Sequence, residues 1–405
     1  MRRRFAGIFA VVVTALILVD VYVFSSLYDE FQGTGDEFIL IYWLPTAAFL
    51  LFLGFVLKKR FWLSQNPVHQ TKLYQLMGLI ILIFFPKILT GVFFLLDDLI
   101  ILTGRLFNIT QAPVFIFWMG VGLGILVFLL VLYGILYGRF HFKIEKLNLK
   151  FSSLPEEWSG LNIIHISDLH IGSWTRHKKQ LERAVRLINQ EDPDLILFTG
   201  DLINNLAEEL DPFKSILKKL KAKNGKYSIL GNHDYGDYFH WNSQREKQDN
   251  LRKTIHDHQE IGFNLLLNDS AILEKDGSSI GILGVENWGL PPFHQNGDLQ
   301  RTINSLKEKT DFNILLSHDP SHWKEEIVNH PEIDLTLSGH THGMQFGVYT
   351  GKFKWSPAQW KYPEWGGLYV QNNHTLYVST GLGFIGFPGR VGIRPRITKI
   401  TLLRE

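Results

Sequence analysis

The sequence has 405 residues, 46% of them hydrophobic, and its 41 Lys and Arg nearly balance its 39 Asp and Glu. This balance leaves no strong positive field, so we expect no nucleic-acid partner. The complete absence of Cys excludes disulfide frameworks, zinc–thiolate sites, iron–sulfur clusters and cysteine nucleophiles.

The charged residues are concentrated in the second part of the chain. Residues 1–138 contain 16 of them, 9 basic and 7 acidic, whereas the remaining 267 residues contain 64, with equal numbers of each sign. Fifteen of the 16 His also fall in the second part. We therefore divide the chain into an apolar region at 1–138, a charged, amphipathic linker at 139–158 and a folded α/β domain at 159–405.

Four apolar stretches lie in the first region, at about residues 5–28, 38–57, 73–96 and 114–137. The first is too long for a signal peptide and has no cleavage site after it, although Arg2-Arg3-Arg4 leaves a twin-arginine signal as an alternative. Each stretch reaches the ~20 residues that a helix needs to cross ~30 Å of hydrocarbon. Four in succession favour an integral, multi-pass membrane region over the buried helices of a soluble domain.

Basic residues between the stretches predict the orientation, since Lys and Arg accumulate on the cytoplasmic side of a membrane. If all four stretches cross, one side receives Arg2, Arg3, Arg4, Lys58, Lys59, Arg60, Lys72, Arg139, Lys143, Lys146 and Lys150. The other side receives mainly acidic residues. Both termini and the α/β domain are therefore predicted to be cytoplasmic, provided that the third stretch, which contains Pro86-Lys87, also crosses.

Two ionisable residues, Asp20 and Lys87, fall within the apolar stretches. Such residues often mark functional sites in membranes. Snorkelling to the interface or pairing with another group is the alternative that we favour.

Beyond residue 161, short β-rich runs alternate with helical ones. The predicted strands are 162–167, 194–199, 226–230, 279–284, 312–317 and 333–338, and the predicted helices are near 177–189, 208–221, 244–259 and 299–309. Five strands are followed by polar clusters, namely Asp168-x-His170, Gly200-Asp201, Gly231-Asn232-His233-Asp234, Ser317-His318-Asp319 and Gly339-His340-x-His342. Ligands of α/β sheets bind at the carboxyl ends of strands, so we expect these clusters to converge.

The composition of the clusters indicates metal binding. Asp, Asn and His form an oxygen and nitrogen ligand set that suits Mn²⁺, Fe or Zn²⁺. Residues i and i+2 of an extended segment lie on the same side, so the Asp-x-His and His-x-His pairs can each reach one metal centre or two adjacent ones. A lone His is more often a packed or surface residue, but five clusters together favour a site in which a carboxylate bridges two ions ~3.5–4 Å apart.

In this order, the clusters resemble the signature of the calcineurin-like metallophosphoesterase superfamily, over about residues 161–403. The resemblance implies a four-layered α/β/β/α sandwich with two divalent ions, Mn, Fe or Zn with Mn favoured, at the strand ends. Position by position, it implies one ion held by Asp168, His170, Asp201 and His342 and another held by Asp201, Asn232, His318 and His340. His233 is then the catalytic residue that contacts the phosphate and protonates the leaving oxygen, while a hydroxide generated by the ions attacks the phosphorus.

Two positions depart from the family pattern. Where relatives carry a second Asp that orients the catalytic histidine, this chain has Asn204, which accepts a hydrogen bond but brings no charge to stabilise an imidazolium. Met344 stands where many bacterial relatives have glycine. The first departure bears on the strength of His233 as an acid.

The residues after the last histidine pair bear on the substrate. Residues 347–374 are rich in Gly and aromatic residues, as in a binding loop or a segment at a membrane interface; a self-packed loop is the alternative. Arg390 and Arg394 suit bidentate phosphate binding as well as a plain surface position. Their Gly-containing surroundings resemble the membrane-associated bacterial branch of the superfamily, which includes phosphodiesterases that act on lipid-linked substrates.

These observations favour a membrane-integral, dimetal phosphoester hydrolase. Its expected partners are the lipid bilayer and a phosphomonoester, phosphodiester or pyrophosphate, with a lipid-linked form favoured. The same chemistry on a soluble phosphoester is the first alternative. The second is a membrane sensor or binding module with little turnover, for which missing metal ligands would be the signature.

Overall fold

The computed structural model describes residues 2–31, 35–59, 67–107, 114–350 and 353–405. Arg60, one of the basic residues that predict the orientation, lies outside the described residues, as do Gly351 and Lys352 of the aromatic segment. The side chains of residues 2–4 also lie outside the described part. The chain forms two compact units, one that contains most of the apolar region and ends at Leu136, and one that contains Tyr137–Glu405.

Four long helices occupy the described part of the apolar region: α1 (Arg2–Glu30), α2 (Asp36–Lys59), α3 (Pro67–Gly104) and α4 (Val114–Leu136). Each is long and apolar enough to cross a membrane, as predicted. A helix satisfies its own backbone hydrogen bonds, which is required in hydrocarbon. α3 has 38 residues and continues through Pro86, so the predicted third stretch belongs to one helix.

Within this first unit, α3 and α4 approach closely because α4 presents glycines. Thr90 Oγ1 donates a hydrogen bond to Gly120 O at 3.1 Å. A Cβ on Gly124 would lie only 2.1 Å from Thr90 Oγ1. Small residues let helix backbones meet in a membrane, where van der Waals packing and hydrogen bonds drive association.

The second unit contains 14 strands and five helices among its described residues. In chain order they are β1 (Lys143–Phe151), β2 (Asn162–Ile166), α5 (Lys178–Gln190), β3 (Leu195–Phe198), α6 (Lys214–Leu217), β4 (Lys226–Ser228), α7 (Gln244–Glu260), β5 (Asn264–Leu265), β6 (Asp269–Lys275), β7 (Ser278–Gly284), α8 (Leu299–Asn304), β8 (Phe312–Leu316), α9 (Ser321–Glu325), β9 (Leu335–Ser338), β10 (Val348–Tyr349), β11 (Lys354–Trp355), β12 (Gly367–Gln371), β13 (His374–Val378) and β14 (Arg396–Arg404). Sheet I has the order β1-β14-β2-β3-β4-β5, and sheet II has the order β12-β13-β9-β8-β7-β6. β10 and β11 pair separately.

The two six-stranded sheets pack face to face and carry helices on their outer faces. Side chains of both sheets, among them Ile163, Leu197, Ile314 and Leu337, form the core between them. α5 and α6 pack on the outer face of sheet I, and α8 and α9 pack on that of sheet II. Every residue of β3 and β8 is buried, as expected for parallel strands that are covered on both faces. The predicted α/β/β/α sandwich is confirmed.

The six predicted strands and the helices at 177–189 and 244–259 are confirmed to within two residues at each end. The helix predicted at 208–221 is largely wrong. A 3-10 turn at Ala207–Phe213 precedes the short α6, because Pro212 lacks the N–H that a continuous α-helix needs. The helix predicted at 299–309 ends earlier, at Asn304.

Residues 139–158, predicted to be a linker, contain β1. This strand pairs in parallel with β14 over nine residues, from Lys143 opposite Arg396 to Phe151 opposite Arg404. β14 in turn runs antiparallel to β2. Sheet I therefore includes a strand that precedes the first predicted one and a strand from the far end of the domain.

Candidate metal centre

The seven candidate metal ligands lie in loops that leave the carboxyl ends of five strands. Asp168 and His170 follow β2, and Asp201 follows β3. The others follow β4, β8 and β9, and they are Asn232, His318, His340 and His342. The structure brings these loops of both sheets to one place, as the strand-end pattern predicts.

Five of these residues adopt the left-handed backbone conformation: Asp168, His170, Asp201, His340 and His342. This conformation costs a non-glycine residue on the order of 1–3 kcal/mol and concentrates at functional sites. Hydrogen bonds between loops hold it in place, since Asp168 N donates to Gly200 O at 2.9 Å and His170 N donates to Asp201 O at 3.0 Å. The residues in this conformation are thus among those whose ligand atoms converge.

The first ligand group contains Asp168, His170 and His342, whose ligand atoms lie within 4.8 Å of one another. His170 Nε2 is 3.0 Å from His342 Nε2. His342 Nε2 is 3.5 Å from Asp168 Oδ1. Three potential ligand atoms thus face a common centre.

The second ligand group contains Asp201, His318 and His340, and Asn232 lies between the two histidines. Asn232 Oδ1 is 3.1 Å from His318 Nε2 and 2.9 Å from His340 Nδ1. Asp201 Oδ2 is 3.3 Å from His318 Nε2, and it is also 3.4 Å from His170 Nε2 of the first group. Asp201 is therefore shared by both groups.

The electrostatics of most of the ligands fit divalent cations, whereas at His318 the charge of Asp201 outweighs burial and raises the pKa to about 10, so an ion would displace a proton there. Asp168 and Asp201 are almost fully buried, and Asp168 Oδ2 has no hydrogen-bond partner among the described residues. Burial raises the pKa of Asp168 to about 7, and it lowers the pKa of His170 to about 3 and that of His340 to about 4. The two imidazoles are therefore neutral near pH 7 and keep a lone pair for a metal ion, and a cation would relieve the cost of the buried carboxylate charge.

His233 lies beside the two groups without belonging to either. Its backbone N–H donates to Asp201 Oδ1 at 2.9 Å, and its ring meets the His170 ring edge-on at a centroid distance of 4.9 Å. Its Nδ1 is 2.7 Å from Asn204 O. A carbonyl only accepts hydrogen bonds, so Nδ1 is the donor and Nε2 is left for another partner.

Two family models match the chain. The model described as calcineurin-like phosphoesterase matches residues 161–344, and the model described as probable calcineurin-like phosphoesterase, transmembrane domain, matches residues 2–139. The Bacillus subtilis protein named uncharacterized metallophosphoesterase YkuE is 32% identical over 258 residues, which make up 63% of this chain and 83% of that protein. The chain belongs to the calcineurin-like phosphoesterase family. The expectation of a metal-dependent phosphoester hydrolase is thus confirmed at the level of the family.

The names of other relatives combine a metallophosphoesterase domain with a transmembrane region. A Danio rerio protein named transmembrane protein with metallophosphoesterase domain is 29% identical over 283 residues, 67% of this chain and 60% of that protein. This chain therefore spans about 60% of that relative's length. Among solved structures, a NAD nucleotidase from Haemophilus influenzae is 19% identical with a TM-score of 0.36, covering 55% of this chain and 45% of that one.

Asn204 is the position at which this phosphoesterase domain departs from the family pattern. Among the described residues, its hydrogen bond with His233 is made by its main-chain oxygen. The Asn204 side-chain amide donates instead to Ser173 Oγ at 3.2 Å. The Asn204 N–H donates to Glu209 Oε2 at 2.6 Å, which fixes the peptide. The carbonyl thus orients His233 without a carboxylate. Met344, the second departure, is half-exposed.

Asp234 supports the metal-ligand loops of the phosphoesterase domain, a role that no spacing in the sequence predicted. Its buried carboxylate accepts hydrogen bonds from the N–H groups of Gly231, Asp201, Leu202 and Ile203, at 2.8 to 3.1 Å. It thereby ties the loop after β4 to the loop after β3. The only signal in the sequence is its position directly after His233 in the Gly-Asn-His-Asp cluster.

The aromatic segment 347–374 reaches the metal-ligand groups. Tyr362 OH is 2.8 Å from His340 Nε2, the ring nitrogen that points away from the other ligands. Trp365 is 2% exposed and packs with Tyr362 and Ile393. In contrast, Trp360 is 78% exposed. One side of the segment is therefore packed in the domain, while other side chains face outward.

Tyr238 also borders the site and was missed in the sequence. Its hydroxyl accepts a hydrogen bond from Asn232 Nδ2 at 2.8 Å. Its ring lies 4.5 Å from that of His233, measured between centroids. Because Tyr238 is half-exposed, it forms part of the wall beside His233.

Arg390 is 1% exposed and is bonded mainly to the main chain. Its Nε and Nη2 donate to Gly383 O, and Nη2 also donates to Thr380 O and lies 3.1 Å from His342 Nδ1. Phosphate binding by Arg390 stays a prediction. Arg394 donates to His141 O and Phe142 O, so it ties the last part of the chain to the residues before β1.

Proposed function

We propose that this domain hydrolyses a phosphomonoester, phosphodiester or pyrophosphate with the help of two divalent ions, with Mn²⁺ favoured. The observation that carries the proposal is the position of Asp201, whose Oδ2 lies 3.4 Å from His170 Nε2 and 3.3 Å from His318 Nε2. One ion would be held by Asp168, His170, His342 and Asp201, and the other by Asn232, His318, His340 and Asp201. Bound there, the ions would neutralise phosphate charge and activate water for attack.

In this proposal His233 donates the proton that the leaving oxygen receives. The bond from its Nδ1 to Asn204 O fixes the ring, so that Nε2 is free to protonate the leaving oxygen when the imidazole is charged. The bond from its backbone N–H to Asp201 Oδ1 keeps the residue next to the shared ligand. Leaving-group protonation and ion binding are therefore coupled through one short segment of chain.

A lipid-linked substrate is supported by the outward face of the aromatic segment. Phe353 is 60% exposed, Trp360 is 78% exposed and Val370 is 66% exposed. Trp360 is only two residues from Tyr362, which contacts the candidate ligand His340. An exposed aromatic residue so near in sequence to a residue of the site suits a substrate with an apolar part. With the orientation that the basic residues predict, the site would act in the cytoplasm.

The hydrolase proposal is tested with the purified full-length protein in detergent and Mn²⁺, assayed on bis(p-nitrophenyl) phosphate and p-nitrophenyl phosphate. Asp201→Ala should abolish hydrolysis and reduce the Mn²⁺ bound per chain, because both ions lose a ligand. Glu274→Ala, which removes an exposed carboxylate of β6, is the matched control. It should leave the rate of hydrolysis and the Mn²⁺ bound per chain unchanged. Activity that persists in Asp201→Ala would refute the mechanism.

The lipid-linked substrate is tested separately from the chemistry. Trp360→Ser should lower kcat/KM for a phosphate ester embedded in bilayers and leave kcat/KM for p-nitrophenyl phosphate unchanged. If both substrates respond equally, or neither responds, the alternative of a soluble phosphoester is favoured.

A further inference from the structure

The first unit contains a polar cluster where a membrane would be apolar. Lys87 and Asp20, the two ionisable residues within the apolar stretches, form an ion pair, with Lys87 Nζ 2.6 Å from Asp20 Oδ1. Thr46 Oγ1 donates to the other carboxylate oxygen, Oδ2, at 2.5 Å, and Tyr42 OH donates to Asp20 O at 2.9 Å. The cluster joins α1, α2 and α3, and Asp20 is completely buried.

A cavity of about 230 Å³ lies beside this cluster and is lined by residues of all four helices. Lys87, Tyr42 and Thr90 supply its polar groups, while Ile83, Val121 and Ile125 are among its apolar lining residues. At ~30 Å³ for each water-sized group, it has room for roughly eight such groups. Cavities between the helices of a bundle are common ligand sites.

Lys87 has an N–H available for an occupant of this cavity. An ammonium group carries three N–H donors. Among the described residues, its acceptors are Asp20 Oδ1 and Thr46 Oγ1, at 2.6 and 3.1 Å. The ammonium also lies 4.2 Å from the centre of the Tyr42 ring. The remaining donor can therefore bind one further oxygen.

The charge of the ligand determines which kind of oxygen can bind to Lys87. Asp20 and Lys87 neutralise each other, and a net charge in hydrocarbon costs several kcal/mol. An anionic head group would add such a charge to the pair, whereas a hydroxyl or ester oxygen would accept a hydrogen bond without one. The lining of the cavity is largely apolar, so the cavity can also hold a hydrocarbon chain.

We propose that the four-helix unit binds a neutral lipid chain, with its hydroxyl or ester oxygen on Lys87 and its hydrocarbon in the cavity beside Ile125. The site is built by helices that the phosphoester chemistry does not use. It would give the membrane part of the chain a ligand of its own.

Photolabelling of the full-length protein in detergent tests this site. The probes are hexadecanol and hexadecyl sulfate, each carrying a diazirine near its oxygen, and the labelled peptides are identified by mass spectrometry. Hexadecanol should label peptides of α2, α3 or α4, and excess unlabelled hexadecanol should compete. Hexadecyl sulfate should label them at least fivefold less.

Two neighbouring residues provide the matched variants. Ile125 lines the cavity and Leu126 does not, although they are similarly exposed, at 57% and 49%. Ile125→Trp should fill the cavity and reduce hexadecanol labelling at least fivefold, whereas Leu126→Trp should not. Equal labelling of both variants, or equal labelling by both probes, would overturn the proposal and leave the cluster as a packing contact.

A second variant tests the hydrogen bond. The double change of Asp20→Asn with Lys87→Met removes both charges together, so no unpaired charge remains in the membrane, and it leaves no N–H donor at position 87. It should weaken hexadecanol labelling while the protein still elutes as a single species in gel filtration. Unchanged labelling would show that Lys87 does not hold the oxygen.

Discussion

His233 donates from Nδ1 to a main-chain oxygen, that of Asn204, at 2.7 Å. A main-chain carbonyl fixes the tautomer of an imidazole as a carboxylate does, but it adds no full negative charge. The Asn204 side chain points to Ser173. The identity of this side chain should therefore matter little to proton transfer.

Asn204→Ala tests that inference at the level of one residue. We expect kcat to remain within about threefold of wild type and the pH profile of kcat to keep its shape, because the carbonyl remains. His233→Ala should instead lower kcat by about 10²- to 10⁴-fold, the usual contribution of a general acid. A loss of similar size in Asn204→Ala would show that the side chain acts on His233 after all.

Tyr362 contacts the ring nitrogen of His340 that faces away from the other ligands. Partners of this kind orient metal-binding histidines, and their loss typically costs 10–100-fold in metal affinity or activity. Tyr362→Phe should therefore weaken Mn²⁺ binding by about tenfold, measured by titrating the metal-free protein. Tyr369→Phe, in which the lost hydroxyl binds Pro363 O, is the control. Equal affinities in the two variants would contradict a role for Tyr362 in metal binding.

The candidate ligands were predictable from sequence because each belongs to a short cluster directly after a strand. Asp168-x-His170 and His340-x-His342 carry their chemistry in their spacing. Tyr362 and Tyr238 had no such signal, since their contacts with His340 and Asn232 arise only when separate loops fold together. Residues that act only through tertiary contacts cannot be identified from a single sequence.

At the level of elements, the strands that are easy to predict are those buried on both faces. β3 and β8 are apolar at nearly every position. β1 instead mixes Lys, Glu and Asn with apolar residues because it lies at the edge of sheet I. Its pairing with a strand far along the chain could not be inferred from local pattern, so the segment resembled a linker.

β1 is tied to the domain by an ion pair as well as by its backbone. Glu145 pairs with Arg396 and accepts a hydrogen bond from Tyr377 OH at 2.7 Å. Arg396 is 1% exposed, and loss of one partner of a buried pair typically costs about 3–5 kcal/mol.

Glu145→Gln should therefore lower the Tm of the full-length protein by on the order of 10 °C, since about 1 kcal/mol corresponds to 2–4 °C in a domain of this size. Lys146→Gln, at a neighbouring residue whose side chain is 64% exposed, should change Tm by less than about 2 °C. The measurement is thermal unfolding in detergent. Similar Tm values for both variants would show that the pair is not needed to hold β1.

For the whole molecule, buried histidines predict a loss of stability in acid. Burial lowers the pKa of His165 and of His258 to about 3, below the value near 6.5 of an unfolded chain. The unfolded state therefore binds more protons between these values, and the free energy of unfolding falls as the pH drops below about 6.5. Each histidine contributes on the order of 1–2 kcal/mol to the loss between pH 6.5 and 5.

His258→Gln should flatten the dependence of Tm on pH between 7 and 5, because it removes one of these groups while Gln can still bond to Ser228. His256→Gln is the matched control on the same helix, since the His256 side chain is 72% exposed. Parallel Tm curves for His258→Gln and wild type would refute the contribution of His258.

The predicted orientation is also a property of the whole chain, and the absence of Cys makes introduced cysteines unique labels. In sealed vesicles of known orientation, Lys150→Cys should react with a membrane-impermeant maleimide only from the cytoplasmic side. Asp36→Cys should react only from the opposite side. Labelling of both positions from the same side would exclude the predicted arrangement.

The pairing of β1 with β14 also sets an order of events during synthesis. Phe151 and Arg396 are 245 positions apart in the chain, an interval that takes on the order of 10–50 s to translate at ~5–20 residues per second. During this interval β1 has been synthesised, whereas its partner strand β14 has not. An unpaired strand invites association with other chains unless charged residues oppose it. We expect Lys143, Lys146 and Lys150 of β1 to oppose such association until β14 has been synthesised.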